Sequence, residues 1–228
     1  MSPRASYATW HADPAREVAM ADGHRPYWEH FIGLVPETDL AGHDVLDFGC
    51  NRGGFLQLLH ARRPFRWGLG VDIATDSIAA AEAAKGDLPV EHRVATDLSP
   101  WAGRFDIAFS YEVVYLLPDI AGHAAQMLQA LRPGGVYYAV TGCHTDSPLW
   151  PRWRSLIGGT TNAPVQDRSP DDYAEAFAAA GFSVSLKKFG YDGFVPAGKD
   201  RRYYPKLVDA ITYGAEHKLL FRLVKPAG

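Results

Sequence analysis

An aspartate and several glycines meet at one point of the sequence, where an apolar stretch breaks into a loop. Val45 and Leu46 lead to Asp47, and residues 49–54 then run into apolar residues at helical spacing. This order predicts a strand, a tight turn and a helix, the first unit of a nucleotide-binding α/β sheet. Glycines permit positive φ and close approach of a ligand, and the helix N-terminus offers free N–H groups to an anion.

The chemistry expected of this loop is the binding of a zwitterionic ligand. Its spacing departs from the G-x-G-x-x-G fingerprint of dinucleotide sites, because three other residues separate Gly49 from Gly53. A carboxylate at Asp47 would repel a pyrophosphate but would suit a cationic amino group. The alternative interpretation is an ordinary turn between a strand and a helix.

A second acid, Asp72, ends the next apolar stretch, residues 67–73. It lies roughly twenty residues past the glycine loop, where a carboxylate accepts hydrogen bonds from both ribose hydroxyls. Ile73 would then offer an apolar face to adenine. The alternative is a helix-capping acid, although Thr75 and Asp76, with Ser77, form a better N-cap cluster.

Residues 45–55 resemble motif one of the class I S-adenosylmethionine-dependent methyltransferases. That motif reads hydrophobic-hydrophobic-(D/E)-x-G-x-G-x-G, and Asp47, Gly49 and Gly53 match it. Asn51 stands at the middle glycine, and asparagine is the next residue to accept left-handed φ.

Three later stretches follow the same family in order. Residues 105–119 resemble its motif four, FDxVFSxEVLxHLxD, except that Leu116 stands where many members carry a histidine. Asp97 matches the acid that binds the exocyclic amine of adenine, with the next backbone N–H on the ring. Residues 131–135, LRPGG, match the family's connection of a helix, a turn and strand five. The ordered set over residues 43–142 is more specific than any one motif.

The resemblance implies S-adenosyl-L-methionine as cofactor and S-adenosyl-L-homocysteine as product. The expected reaction moves a methyl group to an oxygen or nitrogen of a small-molecule acceptor of aromatic or anionic character. Such a transfer requires mainly alignment and exclusion of water, and a hydroxyl acceptor also benefits from a general base. The predicted cofactor-binding residues are Tyr7, Trp10, Asp47, Gly49, Cys50, Asn51, Gly53, Asp72, Ile73, Thr96, Asp97, Leu98 and Ser110.

The predicted catalytic residues are His144, Tyr115 and Tyr111. His144 follows the fifth strand at the ligand edge, and its alternative is a solvated loop histidine. His11 and Glu112 are further candidate bases, although Glu112 better suits a structural support of its loop.

Several aromatic residues would wall a pocket for a flat or cationic acceptor, or else pack in the core. They are Tyr111, Tyr115, Trp150, Trp153, Tyr203 and Tyr204. The basic run over residues 199–202 is either a solvated face or a site for an acceptor carboxylate or phosphate.

The fold class expected from these elements is α/β, a doubly wound, Rossmann-like sheet of seven mainly parallel strands with the last strand antiparallel. One methyltransferase domain is expected over residues 1–228. Residues 1–36 would form a helical lid segment, with one short helix over residues 14–20, closed by Gly23, and a second over residues 26–32. Residues 143–169 and 189–214 would be insertions over the acceptor site.

The composition of the chain disfavours several classes of function. The net charge of −3 disfavours nucleic acid as a partner, and no membrane segment or signal peptide is expected. Two cysteines, Cys50 and Cys143, indicate a reducing, cytoplasmic setting. No metal is expected, because the histidines lack ligand spacing. The alternatives left open are a non-catalytic cofactor-binding protein and, less favoured, an NAD-dependent dehydrogenase.

Overall fold

The computed structural model describes residues 7–198 and 200–228, with the side chain of Pro14 left aside. The first six residues of the expected lid segment, and Lys199 of the basic run, therefore lie outside the described residues.

Seven strands form one sheet in the order β3-β2-β1-β4-β5-β7-β6. The strands are parallel except β7, which runs antiparallel to both of its neighbours, β5 and β6. The predicted fold class is therefore confirmed. The strands are β1 (Leu40–Phe48), β2 (Phe65–Asp72), β3 (Val90–Val94), β4 (Phe105–Tyr111), β5 (Leu131–Thr141), β6 (Ser183–Lys188) and β7 (Leu219–Val224).

Helices cover both faces of this sheet. They are α1 (Pro14–Leu34), α2 (Gly54–Arg62), α3 (Thr75–Ala84), α4 (Ile120–Ala130), α5 (Trp150–Thr160), α6 (Pro170–Ala180) and α7 (Leu207–Thr212). One core lies on the side of α1 and α2, where Phe31 and Leu56 pack with Val45 of β1. The other lies on the side of α4 and α6, where Met127 and Phe177 pack with the next residue along, Leu46. The near-continuous apolar runs of the central strands reflect this burial on two faces.

The N-terminal helix differs from the sequence prediction. Two short helices were expected, but α1 is one helix that continues through Gly23 and Pro26. Pro26 removes one intrahelical hydrogen bond and Gly23 lowers helix propensity. Burial of Tyr27 and Phe31 against the sheet offsets both costs, so tertiary packing overrides the local signals.

The start of α3 also differs. The expected cap at Thr75 and Asp76 is absent, because the helix begins there and Ala74 is its N-cap without a side-chain bond. The free N–H groups of Thr75 and Asp76 instead donate to the backbone carbonyls of Tyr7 and Ala8, each at 2.9 Å. The chain's N-terminal segment thus caps a helix on the ligand edge of the sheet.

The LRPGG signature is part of β5 rather than a turn before it. Leu131 pairs with Phe105, and regular pairing resumes only at Val136 opposite Ile107. The irregularity between them holds Gly134, whose φ is 79°. The turn chemistry of proline and glycine is therefore used inside the strand, as a bulge.

The two expected insertions carry helices of their own. Residues 143–169 contain α5, and residues 189–214 contain α7, which passes into a π-helical turn at Tyr213–His217. The predicted start of α6 at Ser169 is observed, with Asp172 completing a capping box. Among the described residues, every helix is too short or too polar to cross a membrane.

Candidate functional site

A cavity of about 780 Å³ opens at the carboxyl edge of the sheet. Loops after β1, β2 and β4 line it, together with α1, α5 and the N-terminal segment. Two sets of polar residues face it, which we name the aspartate group (Asp47, Asn51 and Asp72) and the tyrosine group (Tyr111, Glu112, Tyr213 and Lys218).

The loop after β1 builds the aspartate group. The N–H groups of Gly49 and Cys50 donate to Val71 of β2, which folds the loop back over the sheet edge. Gly49 and Asn51 have φ of 81° and 47°, so the left-handed conformation expected of Asn51 is observed. A Cβ at Gly49 would lie 2.4 Å from the side chain of Val113, so only glycine fits there.

Asp47 is buried, and it forms no ion pair with any of the described residues. Asp47 is the second-last residue of β1. It is 3% exposed, and its Oδ2 has no hydrogen-bond partner among the described residues. Burial raises the pKa of this carboxyl to about 8, and the nearby charge of Asp72 adds to the effect. An unpartnered buried carboxylate is costly, and a cationic amino group entering the cavity would satisfy it.

Asp72 is held in a different way. One of its oxygens accepts the Asn51 N–H and the other accepts the Ala74 N–H, each at 2.9 Å. Burial raises the pKa of Asp72, while those two N–H groups act to lower it. Each oxygen keeps a lone pair for a further donor. Ile73 and Thr96 line the cavity beside it, as does Cys50.

Four predicted cofactor residues lie away from the cavity lining. Asp97 is exposed, and its two oxygens accept bonds from the N–H and the hydroxyl of Ser99, so that the side chain caps its own loop. Leu98 is 1% exposed, and its N–H donates to the side chain of Gln126. Ser110 is buried and shares a hydrogen bond of 2.7 Å with Tyr137. Gly53 lies against His92 and Ala81, so its position shapes the loop without facing the cavity.

The tyrosine group is organised around a buried ion pair. Lys218, 3% exposed, donates to Glu112 Oε1 at 2.8 Å and to Tyr111 Oη at 2.6 Å. Its ammonium also lies 4.5 Å from the ring centre of Tyr111 and 5.0 Å from those of Tyr27 and Tyr213. Sequence reasoning missed Lys218, which immediately precedes β7.

Glu112 has an uncommon backbone conformation, and its carboxylate accepts hydrogen bonds from four groups. Its φ of 56° is rare for a residue other than glycine, and such strain concentrates at functional sites. Besides Lys218, it accepts bonds from Tyr213 Oη at 2.7 Å, Thr141 Oγ1 at 3.1 Å and the Gly142 N–H at 3.2 Å. Burial acts to raise its pKa, but these partners hold it below the usual range. An ionised group with its lone pairs occupied is a poor general base, which agrees with the structural role favoured from sequence.

Of the predicted catalytic residues, Tyr111 and Tyr115 line the cavity and His144 does not. His144 is buried, and its Nε2 bonds the His217 carbonyl at 2.7 Å. The solvated alternative is therefore wrong, and the position of His144 away from the cavity lining gives no support to its predicted role as a base. His11 does line the cavity, and its Nδ1 accepts the Asp13 N–H.

The aromatic wall is mostly as expected. Trp153, Tyr203 and Tyr204 line the cavity, and Trp153 Nε1 donates to the Tyr203 carbonyl at 2.7 Å. Trp150 is the exception, because it packs outside the lining and its Nε1 donates to Asp167.

Residues 7–12 form a strap over the cavity edge. At one end Tyr7 and Ala8 cap α3; at the other, Trp10 accepts the Asn162 N–H at 3.0 Å beyond the end of α5. Glu17 of α1 secures the strap from below, since it is fully buried and bonds both the His11 N–H and the Ser77 hydroxyl. Tyr7 and Trp10 face the cavity, and Trp10 Nε1 is buried without a partner among the described residues.

The family follows from comparison with known proteins. A family model described as a methyltransferase domain matches residues 20–186, most of the chain. The protein therefore belongs to the methyltransferase-domain family, within the class I S-adenosylmethionine-dependent methyltransferases, whose cofactor is S-adenosyl-L-methionine. The resemblance found in the motifs, and the cofactor that it implied, are confirmed.

Two curated relatives share part of the chain. Trans-aconitate 2-methyltransferase of Azoarcus sp. (strain BH72) is 33% identical over 130 residues, 56% of this chain and 49% of the relative. A ubiquinone biosynthesis O-methyltransferase of Methylobacterium sp. (strain 4-46) is 38% identical over 112 residues, 47% of this chain and 44% of the relative. The chain spans about half the length of these curated relatives.

Solved structures share the fold over nearly the whole chain. The Haloferax volcanii complex of the Trm112 methyltransferase activator with a methyltransferase gives a TM-score of 0.77 at 22% identity, covering 93% of this chain and 94% of that one. Geranyl diphosphate C-methyltransferase of Streptomyces coelicolor A3(2) gives 0.69 at 16% identity, covering 98% and 92%. At these identities the likeness concerns the fold.

Proposed function

We propose that this protein transfers a methyl group from S-adenosylmethionine to an oxygen or nitrogen of a small-molecule acceptor. The observation that carries the proposal is the unpartnered Oδ2 of Asp47, buried beside Asp72 at the edge where the family binds its cofactor. When bound, the cofactor would supply an electrophilic methyl group on a sulfonium and would leave as a neutral thioether, and an acceptor that carries a proton on the methylated atom would lose it.

The aspartate group would hold the cofactor. Asp47 would accept hydrogen bonds from its amino group, and Asp72 would accept them from the ribose hydroxyls with the lone pairs that Asn51 and Ala74 leave free. Ile73 and Thr96, which line the cavity beside Asp72, would flank the adenine. A dehydrogenase is disfavoured, because a dinucleotide would bring a pyrophosphate to the carboxylate of Asp47.

The tyrosine group and its aromatic neighbours would hold the acceptor. Tyr111, Tyr115 and Trp153 line one continuous cavity with the aspartate group. Such an arrangement would align the acceptor with the methyl group and exclude water from the reacting atoms, which is most of what methyl transfer from a sulfonium requires. The trans-aconitate and ubiquinone-pathway enzymes among its relatives support a small molecule as the acceptor.

Calorimetry with S-adenosylhomocysteine tests the cofactor site. Asp72→Ala removes two charge-assisted contacts and should weaken binding about a hundredfold, or roughly 2–3 kcal/mol. Asp76→Ala is the matched control, because Asp76 is exposed in the first turn of α3 and should leave affinity unchanged. Equal affinities in Asp72→Ala and the wild type would refute the ribose assignment, and tight binding of NADH instead would favour a dehydrogenase.

We also propose that the strap acts as a lid whose Trp10 contacts the ligand. Its hydrogen bonds to α3 and to Asn162 indicate that deleting residues 1–12 would lower the melting temperature as well as turnover. Trp10→Phe is therefore the sharper variant, because it keeps an aromatic ring at this position and removes the five-membered part of the indole with its buried Nε1 donor. Affinity for S-adenosylhomocysteine, or for the acceptor once it is identified, should fall about fivefold at constant melting temperature. If both affinities and turnover stay at wild-type values, the strap is only structural packing.

A further inference from the structure

The polar surface of the tyrosine group offers donors rather than acceptors. Glu112, its only carboxylate, is occupied by Lys218, Tyr213, Thr141 and the Gly142 N–H. Its oxygens therefore have no capacity left to hold a cationic or N–H-bearing group. An acceptor molecule that relied on such a contact would find no partner in this group.

Tyr111 is the donor that faces the cavity. Its oxygen already accepts a hydrogen bond from Lys218 at 2.6 Å, so its own hydroxyl hydrogen is directed elsewhere. Burial raises the pKa of Tyr111, and the charge of Glu112 adds to the effect, so the phenol stays protonated. A hydroxyl whose oxygen accepts from an ammonium is polarised and becomes a stronger donor.

The aromatic faces of this group are already used by the protein's own cation. The Lys218 ammonium lies over Tyr27, Tyr111 and Tyr213, at 4.5 to 5.0 Å from the ring centres, and 5.7 Å from that of Phe189. A second cation brought to these rings would meet the positive charge of Lys218 at close range. The cationic acceptor considered from the sequence is thus disfavoured, because the Lys218 ammonium already occupies the aromatic faces that would bind it.

We propose that the acceptor of this enzyme carries an ionised oxygen, a phenolate or a carboxylate, which Tyr111 anchors through a hydrogen bond backed by Lys218. Glu112 is a positioning residue: it neutralises Lys218, and with Tyr213 it fixes the ammonium behind the Tyr111 oxygen. An acceptor oxygen that binds already ionised has no proton to lose and needs no general base. This is consistent with the cavity, because the carboxylate of Glu112 is occupied by donors and His144 lies outside the lining. This inference rests on the proposed methyl transfer, because it concerns the acceptor of that reaction. Binding of an ionised oxygen can nevertheless be measured separately from methyl transfer.

Binding of small aromatic probes tests the anchor, with the protein saturated in S-adenosylhomocysteine. The probes are 4-nitrophenol against 4-nitroanisole, which lacks the ionisable oxygen, and 4-nitrobenzoate against its methyl ester. Wild-type protein should prefer at least one ionisable probe over its methylated partner by about tenfold or more. The pair with the larger preference tells whether the source is a phenolate or a carboxylate. A cationic probe, 4-nitrobenzylammonium, should bind more weakly than either anion.

Tyr111→Phe is the decisive variant, because it removes one hydroxyl and keeps the ring. The preference for the ionisable probe should fall to about twofold or less, while affinity for S-adenosylhomocysteine stays within about twofold of wild type. In the double variant Glu112→Gln with Lys218→Met, which removes the ion pair without leaving a lone buried charge, the preference should also fall. A preference that persists undiminished in Tyr111→Phe would overturn the proposal.

One measurement needs no variant and so does not depend on folding. At a pH where free 4-nitrophenol is half ionised, the bound probe should show the phenolate absorbance in wild-type protein. A bound 4-nitrophenol that is wholly protonated, together with no preference for 4-nitrobenzoate over its ester, would overturn the inference, as would tighter binding of 4-nitrobenzylammonium. Failure of the proposed function is a different result, namely no binding of S-adenosylhomocysteine while the anion preference is found in the protein without that ligand.

Discussion

Two aspartates on β1, three positions apart, are both buried and are treated in opposite ways. At the amino end of the sheet, Asp44 is fully buried and meets Arg66 at 2.8 Å, Arg104 at 2.9 Å and Arg132 at 3.3 Å. At the carboxyl end, Asp47 has a neighbouring carboxylate, Asp72, and an oxygen without a partner. Two aspartates of one strand thus differ: the carboxylate of Asp44 is paired with arginines, whereas a carboxyl oxygen of Asp47 has no partner among the described residues.

The pKa values of the two groups follow this difference. Burial acts to raise the pKa of Asp44, but the arginines hold it below its ordinary value. Burial raises the pKa of Asp47 to about 8, and the charge of Asp72 adds to the effect. The amino edge of the sheet is therefore stabilised by interactions within the protein, whereas the carboxyl edge keeps a carboxyl oxygen that a bound ligand would satisfy. This contrast matches the general rule that open α/β sheets bind at the carboxyl ends of their strands.

Asp44→Asn is expected to have the largest effect on stability. The change leaves three arginines around a neutral side chain and should lower the free energy of unfolding by about 2 kcal/mol. That is less than for a fully buried pair, since the arginine side chains are a third to a half exposed. Urea denaturation measures the loss, and Asp22→Asn, exposed on α1, is the control. A variant that instead lost cofactor affinity at constant stability would break the contrast between the two edges.

Asp47→Asn should do the opposite and stabilise the unliganded protein. The folded-state pKa of about 8 exceeds the ordinary 3.8, so the folded state holds a proton that the unfolded state loses. Stability contributed by this group therefore falls as pH rises from about 4 to about 8. Asparagine removes that loss, and at pH near 8 the variant should gain about 1 kcal/mol or more.

The same variant should lose cofactor affinity, by about tenfold, because a carboxylate that would pair with the amino group is gone. Thermal unfolding at acidic and alkaline pH, with and without S-adenosylhomocysteine, measures both effects on one protein. A variant that is less stable than wild type at every pH would indicate that Asp47 has an unseen partner within the fold.

Much of the aspartate group could be predicted, because the residue types and spacings that indicate it are local in the sequence. Asp47, Gly49 and Asn51 lie within five positions, and their conformations follow from residue type and spacing. Asp72 could be placed because strands of a doubly wound sheet recur at regular intervals, and β2 is paired directly with β1.

The arginine cluster and the tyrosine group could not be predicted in this way. Arg66 and Arg132 are the second residues of β2 and β5, Arg104 immediately precedes β4, and Arg132 is separated from Asp44 by 88 positions. Lys218 and Tyr111 are 107 positions apart. Such pairs depend on which strands become neighbours, and no local pattern distinguishes them from solvated charges. The continuous helix α1 was missed for a related reason, since tertiary burial of Tyr27 and Phe31 outweighs Gly23 and Pro26.

Asp97→Ala is expected to have the smallest effect. The side chain is exposed and bonded to Ser99 rather than turned to the cavity. Affinity for S-adenosylhomocysteine should change less than about threefold, and stability should fall only slightly through loss of a cap. Calorimetry beside Asp72→Ala ranks the two acids; a larger loss in Asp97→Ala would mean that the side chain turns to the adenine when the cofactor binds.

The ion pair between Glu112 and Lys218 also sets when the site can form during synthesis. Glu112 follows the fourth strand, but its counter-charge stands immediately before the last one, β7, which inserts between β5 and β6. Until that strand enters, a nascent chain would carry β4 with a lone carboxylate at its end, exposed to water. Assembly of the acceptor pocket is thus coupled to the final step of sheet formation, and a ribosome-stalled chain that stops short of residue 218 should not yet hold an aromatic oxyanion.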